Sequence, residues 1–297
     1  MQNSLEKSKS VDWLSGWSVE QPLDFVYDWS PVKNAVWKDL DGSGAQYRDL
    51  GLEVASKGLM RARQIRLGLG AGKLSSDWRA HDLDFEFVFV LKGSATLEIE
   101  GAVHKLSKGA AITQPGLTRY RLDDVSSDFE YIEILGPGTF QTYWGRETAL
   151  PARASELQDV VASYNMETPE SYTAAAGPRP YFYYRDLGTA EPTGDRIYIH
   201  AVKMIPPARE GGTGWHNHSM RQWFYVLGGS AELEMEVFDS HIDKMPLVTG
   251  DAMTVSAGQR HDVPSYTEDY FVLEMCIPKE YDTDAREKPE NLDVVEA

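Results

Sequence analysis

The chain has a single cysteine, Cys276, in 297 residues. That excludes an internal disulfide and any cysteine-rich zinc module. No apolar run approaches the roughly 18 residues of a membrane span, so no membrane association is expected. The opening stretch, MQNSLEKSKSVDW, has no apolar signal core, which points away from secretion and towards a reducing cytoplasm. Basic residues are scarce, 29 against 46 acidic ones, for a net charge of −17. An acidic surface repels phosphate backbones, so nucleic acid is not an expected partner. Hydrophobic residues make up 42% and charged residues 25%, which excludes a mostly disordered chain. The length suits two domains or one large one.

The sequence repeats itself. Tyr47-Arg48-Asp49-Leu50-Gly51 recurs as Tyr184-Arg185-Asp186-Leu187-Gly188, 137 residues later. Phe87–Glu100 aligns with Trp223–Glu236 at an offset of 136, with eight of 14 positions identical. Asp128–Pro137 resembles Asp269–Pro278 at an offset of 141. Three matches in one order, at nearly constant offset, indicate duplication.

Each copy is rich in strand signals. Ala95, Leu97 and Ile99 alternate with polar residues, as do Ala231, Leu233 and Met235. Period two marks a half-buried strand. Glycine-containing turns recur between such segments, so each copy is expected to be an all-β sandwich or barrel. The two units are expected at 46–137 and 183–279. Residues 1–45 hold Trp13, Trp17, Trp29 and Trp37, too aromatic for a free tail, and are expected to pack on a barrel or a second subunit. In the connecting segment 138–182, Ala152–Tyr164 suggests a short helix, and Pro178 and Pro180 mark a linker. Residues 280–297 carry seven acids and two bases and read as a solvated tail.

The strongest chemical signal is Gly211-Gly212-Thr213-Gly214-Trp215-His216-Asn217-His218-Ser219-Met220-Arg221-Gln222. On a strand, His216 and His218 project from one face. A third histidine, His261, ends the segment from Gly250 through Gly258. Three neutral imidazoles and an oxygen donor suit a transition metal and leave two of six positions open. His-x-His alone would equally be a surface or packing pair. Gln222, His261 and the glycine frame, all in register, favour a metal site.

This pattern resembles the cupin superfamily. His216, His218 and Gly229 fit the first cupin motif, with Gln222 in the usual glutamate position. Gly250, Gly258 and His261 fit the second, with Ser256 replacing proline and Ser265 replacing asparagine. With the duplication, the resemblance implies a bicupin: two tandem jelly-roll β-barrels, all-β, with one divalent metal per chain in the C-terminal barrel on His216, His218, Gln222 and His261. Fe(II) is favoured, with Mn, Ni, Zn or Cu as alternatives. A homodimer is also implied. His200, on an adjacent strand-like segment, and Trp215, Phe224, Tyr225 and Val226, beside the ligand strand, are candidate pocket residues.

The first copy is expected to be metal-free. The 136 offset sets Ala80 opposite His216, Asp82 opposite His218 and Glu86 opposite Gln222. Aligning Gly116 with Gly258 sets Arg119 opposite His261. His81 is expected on the opposite face. Asp82, Glu86 and Arg119 are expected to form an internal ion pair that fills the barrel, with a small ligand as the alternative.

A neutral amide leaves a divalent site near +2, where a glutamate would leave it near +1. Such a centre favours small anionic organic substrates such as enolates, carboxylates and phenolates. The family includes dioxygenases, and a dioxygenase acting on a small anionic aromatic, enol or dicarbonyl substrate is the leading expectation. The alternative is a non-oxidative isomerase, lyase or decarboxylase working through an enolate, with the metal as Lewis acid. Binding without turnover is a third class.

Overall fold

A computed structural model describes residues 25–40, 43–67, 76–99, 101–152, 162–174, 177, 179–237 and 240–297. Its described part is two jelly-roll barrels, each made of two largely antiparallel sheets. The first barrel pairs a seven-stranded sheet built around Phe85–Lys92 and Glu130–Gly136 with a five-stranded sheet around Tyr120–Asp123. The second pairs a seven-stranded sheet built around Arg221–Gly228 and Phe271–Ile277 with a six-stranded sheet around His261–Tyr266.

Alternation along the central strands explains how the barrels join. Phe85, Phe87, Phe89, Ile132 and Ile134 meet Trp223, Tyr225, Leu273, Met275 and Ile277 in one core between the barrels. The intervening Phe224, Val226 and Val272 fill the second barrel. Both faces of these strands are therefore buried, so they read as near-continuous apolar runs. The outer strands keep clean alternation: Ala95, Leu97 and Ile99 turn into the first barrel, and Ala231, Leu233 and Met235 into the second.

The repeated Tyr-Arg-Asp-Leu-Gly motif ties the barrels together. Arg48 donates to Gly250 O in the second barrel. Its counterpart Arg185 donates to Asn165, in a strand that pairs with the first barrel. Trp223 Nε1 donates to Leu50 O at 3.1 Å, again from one barrel to the other.

Strands outside the repeats cross over. Asp28–Ser30, ahead of the first barrel, pairs with Ala252–Val255 of the second. Ser163–Asn165, ahead of the second barrel, pairs with Ala111–Pro115 of the first. The aromatic arm thus lies on a barrel of its own chain over the described stretch, with Phe25 buried. Trp29 sits in the crossing strand, and the Arg66 guanidinium stacks 3.6 Å from the Trp37 ring centroid. Trp13, Trp17 and Pro178 lie outside the described residues, as does most of the expected helix at 152–164. Its last residues, Ser163 and Tyr164, are strand, because they complete a sheet edge.

The acidic tail is a correction. Thr283–Ala285 pairs with the His216–His218 strand, and Asp293–Glu296 pairs in parallel with His241–Lys244. Backbone pairing holds these exposed residues, so their acidity did not signal strand.

Candidate metal centre

Glycines bring a loop against the strand that carries His261. Gly212 has φ +61°, and a Cβ there would stand 1.8 Å from Val263 O. Thr213 then exchanges backbone and side-chain hydrogen bonds with Val263 and Asp262. This fixes the entry to His216–His218, and His216 pairs across the sheet with His261.

The three buried imidazoles face one another. Their ring centroids lie 4.8 Å apart for His216–His218, 4.2 Å for His216–His261 and 5.3 Å for His218–His261. Each Nδ1 is engaged: His216 with Gly214 O at 2.6 Å, His218 with Thr283 Oγ1 at 2.8 Å, His261 with Gln259 O at 3.0 Å. Donation from Nδ1 leaves each Nε2 lone pair for a cation. One ring nitrogen from each lies within 4.8 Å of the others. Burial above all lowers the pKa values, to about 2 for His216, 3 for His218 and 4 for His261. The positive charge of Arg179 adds to this at all three rings. Neutral imidazoles are the form that binds metal.

Gln222 lines the same inner cavity. Its Nε2 donates to Glu274 Oε1, and its own Oε1 is buried without a hydrogen-bond partner. A residue with an orphaned amide oxygen, lining one cavity with three clustered imidazoles, fits a divalent cation, which would satisfy all four donors. Glu274 also accepts from His200, Nε2 to Oε2 at 2.7 Å. Burial by itself raises the Glu274 carboxyl, but the charge of His200 and its hydrogen bond, then His218 and Gln222, bring it down to about 2. Glu274 escaped the sequence reading because no motif frames it. One signal was available: Glu133 and Glu274 occupy the same place in two largely apolar strands.

The inner cavity, about 100 Å³, adjoins an outer one of about 820 Å³. Arg179, Thr213, His216 and Tyr281 line both. Arg179 Nη1 donates to Thr213 O at 2.9 Å, while Nη2 is buried with no partner. The sequence reading missed this residue because it lies in the connecting segment. Phe224 lines the inner cavity, and Trp215 and His200 line the outer one. Val226 is fully buried in the barrel core and lines neither. Tyr225 faces the core between the barrels.

In the first barrel the expected alignment is off by one residue. Arg79 pairs with Tyr120 as His216 pairs with His261. The counterparts of His216, His218, Gln222 and His261 are therefore Arg79, His81, Glu86 and Tyr120. The turn between His81 and Glu86 has one residue more than that between His218 and Gln222, and the turn from Gly116 to Tyr120 one more than that from Gly258 to His261. A one-residue slip moves every side chain to the other face. His81 is thus on the ligand-side face, contrary to expectation. Its Nε2 lies 2.9 Å from Tyr120 Oη and its Nδ1 2.9 Å from Thr142 Oγ1. Tyr120 and Gln114 donate to Glu86. The expected Asp82–Glu86–Arg119 ion pair is absent among the described residues, and Arg119 donates to Thr148 O instead. Burial raises the Glu86 carboxyl and lowers His81 to about 4. Among the described residues, both groupings of three or more potential metal donors lie in the second barrel: the three histidines, and His200 with Glu274 and Cys276.

Residues 202–277 match the family model of the cupin domain. No curated protein matches the chain in sequence. Oxalate decarboxylase from Bacillus subtilis, solved at pH 4.6, superimposes with a TM-score of 0.58 at 16% identity, over 88% of this chain and 78% of that chain. The 7S globulin of Momordica charantia gives 0.59 at 12% identity, over 86% of each chain. A structure from work on the Mn(II) centres of the Bacillus subtilis oxalate decarboxylase gives 0.57 at 15% identity, over 88% and 80%. At these identities the likeness is one of fold. The domain match falls on the second barrel, and the two jelly-roll barrels together give the chain the bicupin fold.

Proposed function

We propose that the second barrel is a divalent-metal enzyme site for a small organic anion, and that its chemistry is non-oxidative: a lyase, isomerase or decarboxylase. The observation that carries this reading is the imidazole–carboxylate pair His200–Glu274 set beside the metal donors. His216, His218, His261 and the Gln222 carbonyl would hold the cation. When bound, it supplies a Lewis acid for a substrate oxygen. Arg179, with a buried and unpaired Nη2, binds and orients a substrate carboxylate. His200, on the wall of the outer cavity and oriented by Glu274, gives or takes the substrate proton. Phe224, Val272 and Tyr270 make the inner wall apolar and exclude water.

The dioxygenase reading with Fe(II) uses the same four donors but leaves His200 and Glu274 without chemical work. Three imidazoles and an amide suit Mn(II), Fe(II), Ni(II) or Zn(II) alike, so metal preference does not separate the readings. The fold itself hosts unrelated chemistries. The oxalate decarboxylase neighbours are consistent with a small dicarboxylate or keto-acid substrate. A homodimer is part of the same proposal, to be read from the mass in solution.

The test is turnover of metal-loaded protein on small dicarboxylates, keto acids, catechols and diketones, with and without oxygen. Product formation under anaerobic conditions supports this proposal. Oxygen uptake stoichiometric with product overturns it in favour of the oxygenase.

A further inference from the structure

We infer that Glu274 is a positioning residue for the metal centre: by accepting from Gln222 Nε2 it turns the Gln222 carbonyl oxygen, rather than the amide nitrogen, towards the cation. This rests on the proposal that the three histidines and Gln222 bind a metal.

The geometry follows from strand register. Gln222 pairs with Cys276 and Phe224 with Glu274 on adjacent strands, so Gln222 and Glu274 share the inward face as a diagonal pair. A carboxylate offers only acceptors, so the amide atom that bonds it is Nε2. Amide orientation is thereby settled by hydrogen-bond chemistry. Glu274 is itself held, because His200 occupies its other oxygen at 2.7 Å. The remaining amide atom, Oε1, is buried and unpartnered, on a side chain that lines the inner cavity with the three histidines. An amide released from Glu274 would be free to present its NH₂ edge, which carries no lone pair for a cation.

The first barrel shows the arrangement undone. Glu133 stands where Glu274 does, but its cross-strand partner is Arg63, not a histidine. Glu86 replaces the amide and accepts from Gln114 and Tyr120. No amide oxygen is offered at the position of Gln222.

The experiment is Co(II) binding by chelator competition and visible absorption, on the full-length protein, Glu274→Gln, Glu274→Leu, Gln222→Ala and the Gln222→Ala/Glu274→Leu double variant. Loss of an outer hydrogen-bond partner typically weakens metal binding about 10–100-fold, and Glu274→Leu should fall in that range with an altered Co(II) spectrum. Glu274→Gln keeps an acceptor for Gln222 and should stay within about threefold, with the unaltered spectrum. The double variant should bind no more weakly than Gln222→Ala, since Glu274 acts through that amide. If Glu274→Leu does not fold, Glu274→Ala takes its place in the same cycle. Equal binding by Glu274→Leu and the unmodified protein overturns the inference, as does an equal loss in both backgrounds. An intense thiolate–Co(II) band would set the ion on Cys276 with His200 and Glu274, and would also overturn it. An unmodified protein that takes up no Co(II) overturns the metal site itself.

Discussion

Gln222 donates its side-chain amide to Glu274, whose strand lies directly beside its own. The carboxylate that the family motif leads one to expect at position 222 is therefore not lost from the site. It stands on the adjacent strand, accepts from the Gln222 amide, and is shared with His200. A site charge of +2, reckoned from the four donors alone, omits this group.

Gln222→Glu would set two carboxylates side by side in a buried cavity. One must then take a proton or a cation. The metal-free variant should lose stability at pH 7 by on the order of 1–3 kcal/mol, a shift of one to two pKa units. Metal affinity should rise, and binding of an anionic substrate analogue should weaken. Urea unfolding with and without metal, together with chelator competition, checks all three. Unchanged metal affinity in both Gln222→Glu and Gln222→Ala would remove Gln222 from the donor set.

Arg179→Ala should weaken binding of a small carboxylate to the metal-loaded protein about 10–100-fold, since a charged hydrogen bond is worth about 1.5–3 kcal/mol. Metal affinity should rise slightly, because a cation near the histidines is removed. Calorimetry with oxalate or pyruvate reads the first effect. A carboxylate that binds Arg179→Ala as well as the unmodified protein would take the guanidinium out of substrate recognition.

Acid should destabilise the metal-free protein. His81 at about 4, His216 at about 2, His218 at about 3 and His261 at about 4 all lie below the ordinary 6.5. The unfolded chain takes up these protons first, so stability present above pH 6.5 is lost as the pH falls towards 4. For His81 alone the full loss is about 3 kcal/mol. Glu274, lowered to about 2, adds a loss below 4.5. Glu86 and Glu133, both raised, act in the opposite sense and lose their contribution as the pH rises from 4.5. Between pH 7 and 5 the histidines dominate, and the urea midpoint should fall. His81→Gln should flatten part of that fall. A midpoint independent of pH over this range would contradict the assignment of buried neutral imidazoles.

Much of this architecture was legible in the sequence, and the failures have particular causes. The duplication and the all-β class follow from residue spacing, and the likeness to the cupin motifs named His216, His218, Gln222 and His261, which the structure brings round one cavity. In the first barrel a constant offset sets Ala80, Asp82 and Arg119 in the site, whereas the structure sets Arg79, His81 and Tyr120 there. Two turns, each one residue longer, produced that slip, and a fixed offset cannot see single insertions. Glu274 and Arg179 carry no motif, because their role comes from strand register and from the path of a linker. Residues 283–285 and 293–296 read as tail because their acidic side chains are exposed and strand pairing through the backbone leaves no apolar alternation to read.

Deleting residues 1–37 should cost stability through a defined edge. Asp28–Ser30 covers the Ala252–Val255 strand, and Thr254 Oγ1 donates to Val26 O at 2.9 Å. Removal bares that strand and the pocket of buried Phe25. An uncovered edge strand is a template for association. The truncated protein should melt lower and show a concentration-dependent rise in mass by light scattering. Unchanged melting and mass would deny the arm this covering role.

One metal per chain is expected in the second barrel, on His216, His218, Gln222 and His261. Elemental analysis after loading with excess divalent metal and desalting tests it most directly, on the unmodified protein, His216→Ala, His261→Ala and His81→Ala. The unmodified protein and His81→Ala should hold close to one equivalent, and the two second-barrel variants should lose most of it. Two equivalents per chain, or a full equivalent retained by His216→Ala and His261→Ala, would contradict it.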